Sequence, residues 1–194
     1  MSVTACIPTI DSRRSLLSRC LWSIPVGWNV IVAGGDGPMG DKLNACFEAA
    51  DTTHVICVDD DDYMLIGGNP GAMLDFVGWR ILYTENGRFC GSVAHRGNGD
   101  TSWQTFDRGV SPKCLVRTEI ARAHQFGNHY TADREWSQEV QNDVATHWFV
   151  DENVYHYDHW TEHMVGTDQT QGLTDRPQRD VGIWPFDSER ITWL

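Results

Sequence analysis

Three short apolar, β-branched runs alternate with two helix-spaced segments between residues 2 and 59, and that order narrows the fold more than any other feature. "SVTACIPTI" (2–10) reads as a strand closed by Pro8. "DSRRSLLSRCLWSI" (11–24) sets Leu16, Leu17, Cys20, Leu21 and Ile24 at helical spacing, with Asp11 or Ser12 as its N-cap. "WNVIVAGGDG" (28–37) runs from a strand into a glycine-rich turn. "GDKLNACFEAAD" (40–51) is helical through Leu43, Phe47 and Ala50, and "THVICVD" (53–59) is a third strand. Such alternation specifies a parallel α/β sheet. The near-continuous apolar strands are those of a sheet covered on both faces. Ligands of these sheets gather beyond the carboxyl ends of the strands. Three polar or glycine-bearing loops, 8–13, 34–38 and 59–63, are therefore expected to converge there.

The third strand ends in Asp59, Asp60, Asp61 and Asp62. Val55, Ile56 and Val58 bury the strand, so the carboxylates emerge at its end. Unpaired, they repel one another and some have raised pKa values. A hard divalent cation such as Mg²⁺ or Mn²⁺ would remove that penalty; a solvated acidic loop is the alternative. Asp59 and Asp61 form a D-x-D pair, alternate residues of an extended chain pointing the same way. Magnesium-type sites share the ion with substrate phosphates, which implies a phosphorylated ligand. Asp36, between Gly35 and Gly37, is placed to accept hydrogen bonds from a base or ribose. Arg13 and Arg14 lie in a first helical turn, where positive charge opposes the macrodipole; a bound anion or plain solvation would account for them.

The remaining chain is read more coarsely. "NPGAMLDFVGWRILYTE" (69–85) has Asn69 as cap, Pro70 at the first helical position and a Met73, Val77, Ile81 stripe, which together predict a helix. A hairpin turning at Asn86-Gly87 is the rival for its end. "RFCGSVAH" (88–95) reads as a strand and "GNGDTSWQTFDRG" (97–109) as a mobile loop. "KCLVRTEIARA" (113–123) passes from strand to helix, and "TADREWSQEVQ" (131–141) is a helix capped by Thr131. "THWFVDENVYHYDHW" (146–160) holds a strand or hairpin. Beyond Gly166 the tail is polar until "IWPF" (183–186) and "ITWL" (191–194), which should dock on the body or on another subunit.

Composition excludes several classes. The 194 residues suit a single domain (1–194). There is no signal-peptide pattern and no apolar run of membrane-spanning length, so a soluble, cytoplasmic protein with no membrane partner is expected. Six cysteines without a C-x-x-C pair point to packing, not to disulfides or zinc. Fifteen basic against 27 acidic residues give a net charge of −12, which disfavours tight non-specific nucleic-acid binding without excluding a nucleic acid as substrate. Nine tryptophans are many; Trp103 and Trp136 are read either as core or as stacking platforms for a sugar or acceptor.

In the order "IPTIDSRRSLLSRCLWSI", "GGDGPMGDKLNACFEAA", "THVICVDDDDYM", the chain resembles the nucleotide-binding half of GT-A glycosyltransferases, particularly the inverting family 2. The resemblance covers residues 2 to about 65 closely and reaches about 160 loosely. It implies a single GT-A domain with a nucleotide-sugar half (1–65), an acceptor half (66–165) and a C-terminal tail (166–194). Pro8 and Thr9 would line the base pocket, with Arg13 nearby. Asp36 would contact the uracil or ribose, and Lys42 would face the nucleotide. Asp59 would lie near ribose and metal, Asp61 would be the principal metal ligand, and Asp62 would orient hydroxyls of donor or acceptor. Asp60 sits among these donor-side residues, or acts only as the spacer.

Family members often open a helix beneath the acceptor with an "ED" pair whose aspartate is the catalytic base. "TADREWSQEV" is similar, with Asp133 at the aspartate and Ala132 where the glutamate usually stands; Glu135 is the fallback. Of His156, His159 and His163, the family's endings favour His159 as a metal ligand. The implied activity is Mn²⁺- or Mg²⁺-dependent transfer, with inversion, from a nucleoside-diphosphate sugar (a UDP-sugar favoured) to an acceptor hydroxyl. The acceptor stays open among protein, small glycan and modified nucleic acid base, as does the oligomeric state. Rivals are a sugar-nucleotide nucleotidyltransferase, which wants glycines after the first strand that "PTIDSRR" lacks, and an inactive metal-stabilised module that binds glycan or nucleotide.

Overall fold

Strand β1 (Val3–Pro8) is buried along its whole length, as a strand must be when flanked on both edges and covered on both faces. The computed structural model describes residues 2–65, 73–100, 105–160 and 191–194. A 3₁₀ turn (Asp11–Arg13) leads into α1 (Arg14–Ser23), which buries Leu16, Leu17 and Cys20. Strand β2 (Asn29–Ala33) and α2 (Met39–Ala49) follow, then β3 (His54–Cys57). Both β2 and β3 pair with β1 in parallel, Cys6 lying opposite Ile31 on one side and Cys57 on the other. This is the predicted α/β unit, and it brings the ends of three strands together.

The second half continues the sheet with β4 (Tyr63–Met64), β5 (Phe76–Glu85), β6 (Arg88–Asp100), β7 (Asp107–Arg108) and β8 (Leu115–Arg117). Helices α3 (Thr118–Ala123) and α4 (Ala132–Asp143) precede the long β9 (His147–His159), and β10 (Ile191–Trp193) closes the chain. Among the described residues the strand order is β10-β2-β1-β3-β8-β5-β6-β7, with β9 on β5 and β4 on β9. Five pairings are parallel (β10/β2, β2/β1, β1/β3, β5/β9, β6/β7) and four antiparallel, so the sheet is mixed and mostly parallel. Among the described residues no helix is long and apolar enough to cross a membrane.

One predicted element is overturned. Residues 76–85 form a strand, not a helix, and the hairpin rival is the one that forms. Phe76, Val77, Trp79 and Ile81 are all buried in a strand covered on both faces, which the i,i+4 reading of Val77 and Ile81 had concealed. Asn86 and Gly87 both take positive φ, +48° and +77°, as a two-residue I′-type hairpin turn requires. Met73, the first residue of the supposed stripe, is exposed; Asn69 and Pro70 lie outside the described residues. The segment predicted as a mobile loop from 97 begins as the end of β6 and finishes in β7, with Trp103 outside the described residues.

Several expectations hold. "KCLVRTEIARA" passes from β8 to α3, and α4 starts after Thr131. "ITWL" docks as β10, Ile191 opposite Val30, while "IWPF" and His163 lie outside the described residues. Cys6, Cys20, Cys46, Cys57 and Cys114 are buried as free thiols. Trp136 is core: its ring stacks on Phe126 and Phe47 at centroid distances of 5.0 and 5.8 Å, and its indole N–H donates to the His124 carbonyl at 3.0 Å. It is therefore no platform for a ligand.

Candidate active site

The loops after β1, β2 and β3 are tied together from within. The Thr9 amide donates to the Ala33 carbonyl at 2.9 Å. The Lys42 ammonium donates to the Thr9 carbonyl at 2.7 Å and to the Gly35 carbonyl. Burial lowers the Lys42 pKa, nearby aspartates opposing it. Lys42 thus fastens two of the loops that were expected to meet a nucleotide, its charge held by carbonyl oxygens. Pro8 is buried at the end of β1, and Asp36 stands exposed on the turn that Lys42 braces.

The four aspartates divide by face. The Asp62 amide donates to the Asp59 carbonyl at 3.1 Å, which curls the run into a turn. Asp60 and Asp62 side chains are 2% exposed; those of Asp59 and Asp61 are 26% and 15% exposed. Asp60 accepts from the Thr9 hydroxyl and from Arg13 Nη1, each at 2.8 Å. Asp62 accepts from the Tyr155 hydroxyl at 2.7 Å and the Asp158 amide at 2.9 Å, with Lys113 Nζ at 3.8 Å. Asp60 and Asp62 are accordingly the turn's internal anchors. Arg13 is accounted for by Asp60, and Arg14, exposed, lies 4.0 Å from Asp11, so neither calls for a bound anion.

Burial is the chief influence on both anchors. It pushes the Asp60 carboxyl up to about 6, against the lowering effects of Arg13 and the Thr9 hydroxyl. It also raises Asp62 well above the ordinary range, Lys113 opposing it. A carboxyl whose folded pKa exceeds its unfolded value binds more protons when native. Its contribution to stability is full below the ordinary aspartate pKa and is lost as pH rises through the folded one. For Asp60 that window is about pH 4 to 6. Asp60→Asn should flatten the pH dependence of unfolding free energy there by about 2 kcal/mol over the window. Urea titrations of both proteins at stepped pH would show parallel curves if the assignment is wrong.

Asp59 and Asp61 face outward on the other side of the turn. The Lys113 ammonium, from the loop before β8, forms an ion pair with Asp59 and lies 5.6 and 5.9 Å from the ring centres of Tyr155 and Tyr157. Burial alone would lower the Lys113 pKa, but Asp59 and Asp62 outweigh it and raise it. Asp61 has Arg13 Nη1 at 3.9 Å, and its carbonyl accepts from Arg19, which also reaches Asp158 at 3.0 Å and lies over the Tyr63 ring. Two partly exposed carboxylates on one side of the turn suit a hard cation that takes its remaining ligands from phosphate and water. Asp59, Asp61 and His159 do not assemble into a three-ligand group; among the described residues no three His, Cys, Asp or Glu do. His159 instead stacks parallel to Tyr157 and faces Glu85 at 4.0 Å. His156 bonds to the Thr84 hydroxyl at 2.8 Å.

Lys113 also borders a cavity of about 300 Å³ whose walls include Tyr83, His95, Arg108, Asp133, Arg134 and Tyr157. The cavity lies between the loop before β8 and the start of α4, and Lys113 links it to Asp59 of the acidic turn. Asp133 enters it from the first turn of that helix, accepting from the Arg134 amide at 2.8 Å. Burial raises its pKa, opposed by that bond and by Lys113. Glu135 points elsewhere: its carboxylate is exposed, holding the Thr131 hydroxyl at 2.8 Å and His129 at 3.0 Å, and it does not line the cavity. The hydroxyl of Thr131 therefore bonds a side chain in place of the predicted backbone cap. Geometry separates the two candidates for a base in favour of Asp133.

Sequence reasoning missed Lys113, Tyr155, Tyr157 and His95. A signal for the first was present: a lysine inside "PKCLV", an otherwise apolar approach to a strand, seldom stays buried without a carboxylate partner.

No protein-family model matches the chain, and no curated protein matches it. Solved structures do. S. aureus TarS 1–349 superposes with a TM-score of 0.61 at 16% identity, covering 81% of this chain and 60% of the TarS chain. TarS 1–349 in complex with UDP-GlcNAc gives 0.60 at 15% identity over 81% and 58%. The complex with UDP gives 0.60 at 16% identity over 84% and 62%. The chain thus spans about 60% of the length of those structures, and at this identity the likeness is one of fold.

Proposed function

We propose that this chain is a glycosyltransferase that moves a sugar from a nucleoside diphosphate, UDP in the first instance, to an acceptor hydroxyl. The observation that carries the reading is a cavity lined by both Asp133 and Lys113, the latter ion-paired to Asp59 of the acidic turn at the carboxyl ends of parallel strands. A fold shared with a protein solved with UDP-GlcNAc and with UDP supports the choice of donor. Residues 1–65 would serve the donor and 66–165 the acceptor, with 166–194 as a tail.

Pro8, Thr9 and Asp36 border the space a base and ribose would take, with Arg13 and Lys42 fixing the loops that shape it. Asp61, with Asp59, would hold Mn²⁺ or Mg²⁺, and that ion supplies charge neutralisation for a departing diphosphate. Lys113 keeps a second positive charge beside Asp59 throughout. Asp133 takes the proton from the acceptor hydroxyl as its oxygen bonds to the anomeric carbon. The bond from that carbon to the diphosphate oxygen breaks, and UDP leaves with the electron pair. A single displacement of this kind inverts the anomeric configuration.

Thermal unfolding against UDP-, GDP- and dTDP-sugars, with and without Mn²⁺, tests the reading. One donor at about a hundredfold excess over its Kd should raise Tm by about 5–10 °C with Mn²⁺. Asp61→Asn should lose the Mn²⁺-dependent part. Stabilisation that survives the substitution unchanged removes the metal from the scheme. Silence from every donor, with no nucleoside diphosphate released, leaves a binding module.

A further inference from the structure

The Lys113 ammonium and a divalent cation call on the same carboxylate. Nζ is in contact with Asp59 Oδ2, and the next carboxylate oxygen, on Asp62, is 3.8 Å away. Asp62 is already engaged by the Tyr155 hydroxyl at 2.7 Å and the Asp158 amide at 2.9 Å. Asp59 is therefore the carboxylate that answers the lysine's charge. An oxygen in contact with an ammonium cannot also ligate a metal ion. An ion on the other oxygen of Asp59 would still lie beside the ammonium, and the two positive charges would repel. The side chains of the pair are 15% and 26% exposed, so solvent ions screen that repulsion only weakly.

The backbone on both sides of this contact is fixed. The Cys57 amide, at the end of β3, donates to the Pro112 carbonyl at 2.8 Å, and the Cys114 amide donates to the Ser111 carbonyl at 3.1 Å. The Lys113 amide donates to the Ser111 hydroxyl at 3.2 Å, and Leu115 is buried two residues on. The Asp59 amide donates to the Tyr155 hydroxyl at 3.2 Å. What can move is the four-carbon stem of the lysine. Lys113 borders the cavity of about 300 Å³, which gives its ammonium space to turn. The Tyr155 and Tyr157 rings, at 5.6 and 5.9 Å, hold the charge near the turn once it lets go of Asp59. A lysine suits such an exchange better than an arginine, because its charge is compact and its donors do not lock a carboxylate in a two-point fork.

We propose that Lys113 is the resident counter-ion of the acidic turn and must give up Asp59 before a divalent cation can use that carboxylate. The diphosphate of a donor makes the exchange possible: its oxygens accept the ammonium while Asp59 and Asp61 turn to the cation. Nucleotide and cation then tighten each other's binding by the same factor, and Lys113 sets the size of that factor. The diphosphate is taken from the donor reading above; the competition for Asp59 stands without it.

Binding of Mn²⁺ alone to the full chain, followed by the paramagnetic resonance signal of the free ion and repeated with saturating UDP, tests this. Lys113→Met should bind Mn²⁺ without nucleotide about tenfold or more tightly than wild type. Lys113→Arg keeps a charge on Asp59 and should bind it no more tightly than wild type. UDP should tighten Mn²⁺ binding by about tenfold or more in wild type and far less in Lys113→Met. Lys113→Met is the less stable protein, so Asp59→Asn supplies an arm that does not depend on it. With Asp59 already taken, this variant should hold Mn²⁺ without UDP within about threefold of wild type, whereas Asp61→Asn should lose about tenfold or more. Nucleotide-free affinity in Lys113→Met within about twofold of wild type overturns the proposal, as does a loss of about tenfold in Asp59→Asn. Mn²⁺ binding that Asp61→Asn leaves intact lies away from the turn and overturns it too. If the nucleotide-free affinities follow the expected order but UDP changes none of them, the donor reading fails and the competition for Asp59 stands. If UDP binds and tightens Mn²⁺ equally in wild type and Lys113→Met, the donor reading stands and this proposal fails.

Discussion

Lys113→Met should cost about 3–5 kcal/mol of unfolding free energy at pH 7, the usual loss when one partner of a buried charge pair is removed. The methylene stem is replaced nearly in kind, so the loss measures charge more than packing. Without the ammonium, Asp59 loses its ion-pair partner and Asp62 loses the positive charge 3.8 Å away. The Tyr155 and Tyr157 rings lose the cation that lies within 6 Å of both. Tyr155 still donates to Asp62 at 2.7 Å, but a neutral donor does not offset a buried carboxylate's charge. The pH dependence separates this cause from a packing defect. Uncompensated carboxyls in the variant bind protons more readily folded than unfolded, so its deficit should shrink as pH falls from 7 toward 5. Chemical denaturation of both proteins at each pH reads the difference. A deficit below about 1 kcal/mol, or one that does not move with pH, would mean that Lys113 is held by packing alone.

How the acidic run is organised was half legible from sequence. The expected grouping of Asp59 and Asp61 apart from Asp60 and Asp62 matches the exposures, although a turn and not an extended chain produces it. What alternation cannot supply is the identity of the neutralising groups. Arg13 lies 47 residues from Asp60, and Tyr155 lies 93 from Asp62. The first meeting depends on β1 running parallel to β3, and the second on β9 being held against β4 and β5. The first αβ units were legible because local periodicity and strand order agree there. The 69–85 segment was misread because Val77 and Ile81 satisfy both a four-residue and a two-residue period; only the partner strands decide between them. Trp136 shows the same limit, since an aromatic on a helix face gives no sign of whether Phe126 or a ligand will cover it.

Much of the negative charge at the strand ends is internally compensated, by Arg13 for Asp60 and Lys113 for Asp59. Asp61 is the outward carboxylate with the more distant cation, Arg13 at 3.9 Å. The donor-binding role proposed for it would therefore be probed at a half-buried position, whereas Asp60 and Asp62 are buried anchors of the turn. Substitutions at the two buried aspartates report on folding; those at Asp61 and Asp133 test the proposed chemistry.

Asp133→Asn should lower kcat for sugar transfer by about 10²–10³, within the range that positioned proton transfer contributes. The amide keeps an oxygen to accept the Arg134 N–H, so the first turn of α4 stays formed. What is lost is the site that receives the acceptor proton. Stability should change little: the carboxylate favours the positive end of the helix by about 0.3–1 kcal/mol, while burial, which raises its pKa, works the other way. The wild-type rate should climb with pH through a pKa above the ordinary aspartate value, and this limb should vanish in the variant. Glu135→Gln is the internal comparison, because its exposed carboxylate is tied to Thr131 and His129 outside the cavity. It should leave kcat within about twofold, where a catalytic base would not. Release of UDP with and without acceptor, followed from pH 5 to 8, distinguishes the two carboxylates. A variant at 133 that turns over within about threefold of wild type moves the base elsewhere in the cavity.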